Sequence, residues 1–256
     1  MGQGMWRWHV RVPSAAIIAV ALLVPARLQA QGRGAAAQAP QTPRAAAPID
    51  LTGYWVAEIS EDWRWRMVTP AKGDYMSIPI TAAAQKVADA WDPAKDEAAG
   101  EQCRAYGAPG LMRAPTRLNI SWMDDTTLKV EADYGMQTRL LHFGNWKSPG
   151  GAPTWQGESL ARWEAAGRGA KNGSLMVTTS RLRPGYLRKN GVPYGADATM
   201  TEYWDIVREP NGEQRILMTI VVEDPQYLQG PWTVPVHFKK ERDGSRWEPQ
   251  PCNAKF

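Results

Sequence analysis

Histidine and cysteine are scarce in this chain of 256 residues, with three and two copies. His9 lies near the N-terminus, and His142 and His237 stand singly in apolar stretches. There is no HxxxH, HxH or Cys/His cluster, so the ligand spacing of a dedicated zinc site is missing. A GxSxG elbow, a Walker loop and a GxGxxG turn after a strand are missing too, and no metal or cofactor is expected. Long apolar runs are also lacking. The run from Ala15 to Val24 has ten residues, whereas a bilayer span needs about 20. No transmembrane segment is therefore expected in the mature chain.

An excess of one charge is absent from most of the chain. The formal net charge is +4, but residues 1–48 hold five arginines (Arg7, Arg11, Arg27, Arg33 and Arg44) and no acid. Without them the remainder has 25 basic and 26 acidic residues. Nucleic-acid binding requires a basic footprint, so no nucleic-acid partner is expected.

What the chain does have begins with an export signal. Arg7, His9 and Arg11 form a basic n-region, Ala15 to Val24 an h-region, and Leu28-Gln29-Ala30 a cleavage site before Gln31. Residues 1–30 read as a signal peptide, and the protein as periplasmic or secreted. Both cysteines, Cys103 and Cys252, follow the signal. An even count in an oxidising compartment predicts one disulfide. A free catalytic thiol is the competing reading, but no histidine neighbours either cysteine in sequence. Residues 31–48 are mostly Ala, Pro and Gln, with prolines at 40, 43 and 48. They have too little apolar content for a core and too many breakers for a helix, so a disordered linker is expected.

Residues 49–256 read as one domain. Strands are predicted at about 51–59, 118–123, 127–132, 136–143, 154–164, 174–181, 198–207, 215–223 and 232–240. One helix is predicted from Ala82 to Trp91, with Thr81 as N-cap, Asp92-Pro93 as stop, and Val87 and Trp91 on the buried face. Nine strands at near-regular spacing predict an all-β fold: an antiparallel meander closing into a lipocalin- or calycin-like barrel, with one short helix.

The strand ATMTEYWDIV (198–207) is the most suggestive for chemistry. Alternation puts Met200, Glu202, Trp204 and Ile206 on one face, the predicted interior. An inward glutamate has two readings: a buried salt bridge with Arg139 or Arg162, or an acid/base group or ligand anchor. In the segment 154–164, Gln156, Glu158 and Arg162 share one face, and Trp155, Gly157, Ser159, Ala161 and Trp163 the other. Gly157 there marks a bulge or a close strand approach. Glu158 with Glu202 would make the carboxylate pair of a sugar hydrolase; alone, Glu158 reads as a solvated acid. The segment Trp63-Arg64-Trp65-Arg66 suits cation–π stacking, either as a strand capping the barrel bottom or as a cavity lid.

The C-terminal half contains, in order, TWQGESLARWE (154–164), SLMVTT (174–179), GYLRKNGVPY (185–194), TEY (201–203) and EDPQYLQGPW (223–232). Together these resemble a large family of exported soil-bacterial proteins of unassigned function. Its pattern runs WxGxSxxxWE, LVVxT, GxP[HY], an inward Glu, then DPxxYxxPW. The resemblance covers about 50–240 and implies a barrel and export. This chain has Glu158 and Tyr194 where many of those relatives have His, so the resemblance transfers no catalytic residue.

Two functions are therefore expected. One is a barrel binding a small apolar or aromatic molecule in its cavity, with Arg139, Trp155, Arg162, Trp204 and Tyr227 as contacts. The other is a cofactor-independent hydrolase, lyase or isomerase in which Glu202 acts as acid/base, with an Arg or Tyr partner or paired with Glu158.

Overall fold

The computed structural model describes residues 41–165 and 172–254. The signal-peptide reading of 1–30 and the linker residues 31–40 lie outside the described residues. In chain order the elements are β1 (Gly53–Glu58), α1 (Trp63–Arg66), α2 (Ala82–Asp89), α3 (Pro93–Ala98), a 3-10 turn at Arg104–Tyr106 and α4 (Ala108–Leu111). There follow β2 (Arg117–Trp122), β3 (Thr127–Ala132), β4 (Tyr134–Gly135), β5 (Gln137–Phe143), β6 (Glu158–Ala165) and β7 (Gly173–Ser180). The chain continues with β8 (Gly185–Arg188), β9 (Val192–Tyr194), β10 (Thr199–Arg208), β11 (Gln214–Glu223), β12 (Trp232–Lys240) and β13 (Gln250–Pro251).

Nine strands close a barrel in the order β1-β2-β3-β5-β6-β7-β10-β11-β12 and back to β1. Each strand lies beside its neighbour in the chain, as the spacing predicted. A closed ring of nine strands cannot alternate direction throughout, so one pair has to be parallel. That pair is β5–β6, where Leu141 faces Ser159. Residues 144–157 return the chain along the barrel between them. The purely antiparallel expectation is corrected there; the other eight pairs are antiparallel.

Alternation decides what fills the barrel. Met200 and Trp204 of β10, Met218 and Ile220 of β11, and Val236 and Phe238 of β12 are all buried. Each such apolar side chain contributes roughly 1.5–3 kcal/mol when fully buried. A one-residue slip would turn a whole strand's set to solvent, so the register is strongly specified. Gly157 marks a close approach. Its φ is +61°, and a Cβ there would lie 2.5 Å from the Ser180 carbonyl oxygen.

The two ends of the barrel differ. One has the short turns 123–126 and 209–213 and the incoming segment 41–52. The other has the long connections 59–116, 181–198 and 224–231. Residues 41–48 correct the expected disorder of the linker. Trp163 Nε1 donates to the Pro43 carbonyl (2.8 Å), and the Arg44 backbone N–H to the Asp125 carbonyl (3.1 Å). The partners that seat this segment come from the barrel, which the segment's own composition does not record.

The helical content also exceeds the expected single helix. Thr81 caps α2 as predicted, accepting from the Ala84 N–H (3.2 Å). The helix ends at Asp89, and its buried residues are Ala84 and Ala88 rather than Val87 and Trp91. Asp92-Pro93 starts α3 instead of stopping a helix. Asp92 accepts from the Ala94 N–H (3.0 Å), and Pro93 occupies the first turn, where its missing N–H leaves no bond unmade. Trp63 to Arg66 is a helical turn, not a strand. Cys103 and Cys252 form the expected disulfide, with Cα atoms 5.1 Å apart. Among the described residues no helix is long and apolar enough to cross a membrane.

Candidate functional site

The inward glutamate is at the centre of a polar layer built by four consecutive barrel strands. β5 contributes Arg139, β6 Ser159, β7 Thr179 and β10 Glu202. Arg139 Nη1 donates to Glu202 Oε1 (3.0 Å) and Nη2 to Oε2 (2.6 Å). Nη2 also lies 3.3 Å from Thr179 Oγ1, which is 2.8 Å from Ser159 Oγ. The Arg139 and Glu202 side chains are both 0% exposed. Of the two arginines named as partners, it is Arg139 that holds the carboxylate. The pair is bidentate, the strong form of an arginine–carboxylate contact. Trp204 lies two residues further along the same face, fully buried, with no partner for its Nε1.

The other candidate residues lie elsewhere. Glu158 is on the outer face of β6, bonded to Ser148 Oγ (2.7 Å) and Arg181 Nε (3.0 Å). The barrel wall separates it from Glu202, so the two carboxylates form no acid/base pair. Strand phase explains this: Ser159 and Ala161 are buried, which turns Glu158 and Arg162 outward. Arg162 is exposed and pairs with Glu164 (2.9 Å). Trp155 precedes β6, takes the Arg183 guanidinium over its ring (4.4 Å) and accepts the Ala108 N–H on its carbonyl (2.9 Å). Tyr227 is part of a turn. Its N–H donates to Asp224 Oδ1 (3.0 Å), and its carbonyl accepts from the Thr81 N–H (3.0 Å). These four residues are corrected from candidate site members to structural contacts outside the barrel interior. Arg139, Trp204 and Glu202 are brought together inside it.

The barrel end beneath 41–52 shows a second arrangement. Trp122, Phe143 and Trp163, from the ends of β2, β5 and β6, pack as an aromatic cluster with ring centroids 5.3 to 6.4 Å apart. Ile49 and Ile206 pack against the same core and, like Trp122 and Trp163, are half-buried. Beside them is an open crevice of about 1030 Å³, in which Trp122, Ile206, Ile49 and Pro48 form the apolar part and polar side chains, Arg44, Asp50, Asp205 and Arg208 among them, line the rest. Trp122, Phe143 and Ile206 are not among the contacts expected from the sequence, although each is an aromatic or apolar residue at or near the end of an inward-facing strand pattern.

Among the described residues no group of three or more His, Cys, Asp or Glu side chains is placed to hold a metal ion. No protein-family model, no curated protein and no solved structure matches this chain.

Proposed function

We propose that this is an exported barrel that binds one small apolar or aromatic molecule at the aromatic end of the barrel, not at its centre. The observation that carries this reading is half-buried Trp122, which packs against Trp163 and, with Ile49 and Ile206, forms the apolar part of a crevice that is otherwise lined mostly by polar side chains. Such sites combine apolar walls with a few polar groups that fix orientation. The barrel centre is less suited. Its interior is packed, and Glu202 has both carboxylate oxygens engaged by Arg139. A carboxylate so held is a poor proton shuttle, which weighs against the acid/base alternative. Export is supported by the N-terminal pattern, by the Cys103–Cys252 disulfide and by the resemblance to exported soil-bacterial proteins.

A fluorescence titration of the chain beginning at Gln31 with N-phenyl-1-naphthylamine, a neutral aromatic probe, tests the proposal. Saturable single-site binding is expected, weakened about tenfold by Trp122→Ala, the loss expected of an aromatic anchor. Non-saturating uptake, or affinity unchanged in both Trp122→Ala and Ile206→Asp, overturns it.

A further inference from the structure

The opposite end of the barrel gathers three buried arginines. Arg66 comes from α1, Arg113 from the turn after α4 and Arg188 from the end of β8. They are 7%, 6% and 5% exposed. All three line one small pocket of about 50 Å³, together with Trp65, Gly110 and Leu187. Buried charges are ordinarily paired, and two of these are. Arg66 Nη1 donates to Glu61 (2.5 Å), and Arg113 Nη2 to Asp62 (3.1 Å).

Arg188 is different. Its guanidinium donates to Ser77 Oγ (2.8 Å) and to the carbonyls of Met76 (3.0 Å) and Asp74 (3.5 Å), all neutral acceptors. Among the described residues no carboxylate forms an ion pair with it. The three guanidinium charges thus have two carboxylates in ion pairs, while Asp74, paired with Arg64, and Asp62 act on Arg188 only from a distance. Each arginine also keeps one buried nitrogen without a hydrogen-bond partner: Arg66 Nη2, Arg113 Nη1 and Arg188 Nε. The crowding has an electrostatic signature. Burial first, and then the charge of Arg113, pull Arg188 down to about 10 and hold Arg66 below its ordinary range.

We propose that this pocket is a binding site for a tetrahedral oxyanion, a phosphate or sulfate group, either free or at the end of a larger ligand. Such a group would supply the missing negative charge. It would also accept hydrogen bonds from nitrogens arriving on three separate segments. The volume suits one such group, being space for about three waters. Guanidinium donors match oxyanion geometry and are the usual choice for it. Val68, itself exposed, lines the same pocket, which leaves a way out for the remainder of an esterified ligand. The site is at the far end of the barrel from the aromatic crevice and stands without it.

Calorimetric titration and thermal melts of the chain beginning at Gln31 test the proposal, with inorganic phosphate set against chloride at equal ionic strength. Saturable one-to-one binding and a melting temperature raised by phosphate alone are expected. Arg188→Met should fold, because it removes a buried cation that has no carboxylate, and should lose about tenfold or more in phosphate affinity, the worth of one charge-assisted hydrogen bond. Phenyl phosphate binding as tightly as phosphate identifies the end group of a larger ligand; its exclusion identifies the free ion. A phosphate response no larger than chloride's, or one retained in Arg188→Met, overturns the proposal. If Arg188→Met does not fold, the comparison of phosphate with chloride on the unaltered chain decides alone.

Discussion

Arg139 and Glu202 meet across the barrel interior through two hydrogen bonds, 3.0 and 2.6 Å long, and neither side chain reaches solvent. Their strands are not neighbours, since β6 and β7 lie between them. The pair therefore joins two parts of the wall that the backbone ladder connects only through intermediaries. Thr179 and Ser159 fill the gap with hydroxyls instead of methyls.

Breaking that pair from one side should be costly. Glu202→Gln leaves a buried guanidinium without its counter-charge, and a loss of about 3–5 kcal/mol is expected. The double variant Arg139→Met, Glu202→Leu removes both charges and should recover most of that loss, because apolar replacement of a buried ion pair is often neutral or stabilising. Urea denaturation of the single and double variants measures both. A single variant as stable as the parent would mean that the charges are not coupled.

Much of this layer was legible in the sequence. Period-2 alternation is local, so Met200, Glu202, Trp204 and Ile206 could be assigned to one face without knowing what they faced. Choosing between Arg139 and Arg162 needed the phase of β6. There the small residues Ser159 and Ala161, not the charged ones, go inward. The helical end was not legible for another reason. Residues 59–116 form short helices whose apolar faces are only a turn or two long, too brief for periodicity to register. Arg66, Arg113 and Arg188 are far apart in the chain and are brought together only by the barrel's closure. The parallel β5–β6 pair was implicit in the odd strand count, which fixes that one such pair exists but not where.

Reduction of the disulfide should loosen the C-terminal tail and lower overall stability. Cys103 and Cys252 are 149 positions apart, and the loop-entropy model assigns such a bridge roughly 4–5 kcal/mol. The measured loss should fall below that, because the reduced unfolded chain keeps residual structure that the loop-entropy model ignores, while other contacts keep the tail docked in the folded state. β13 pairs with β4, Asn253 N–H donates to Tyr106 Oη (3.2 Å), and Ala254 N–H donates to Glu97 (2.8 Å). A domain of this size shifts by about 2–4 °C per kcal/mol, so a drop on the order of 10 °C is expected on full reduction. Thermal melts with and without reductant, with free thiols counted in each sample, check it. An unchanged melting temperature with both thiols free would show that the tail contacts suffice.

His142 should make stability rise with pH just below its ordinary titration range. It lies half-buried on β5 with its ring stacked on Trp146, centroids 4.2 Å apart and planes within 2°. Burial lowers its pKa below the ordinary value, and the charges of Asp124 and Glu158 oppose that only in part. The folded state thus holds the imidazole proton less tightly than the unfolded chain does. Between the folded and unfolded pKa values the unfolded state binds more protons, so unfolding free energy increases with pH across that window. Above about 6.5 both states are neutral and the slope from this residue vanishes. Below the folded pKa both are charged, and the loss of stability is complete. Histidine NMR titration should place His142 below the free imidazole value, and Trp146→Ala should move it back toward that value by letting water reach the ring. Denaturation at a series of pH values should show the slope in the parent and its loss in His142→Gln. If His142 titrates above the free value instead, the carboxylates outweigh burial and the slope reverses, with stability falling as pH rises through the same region.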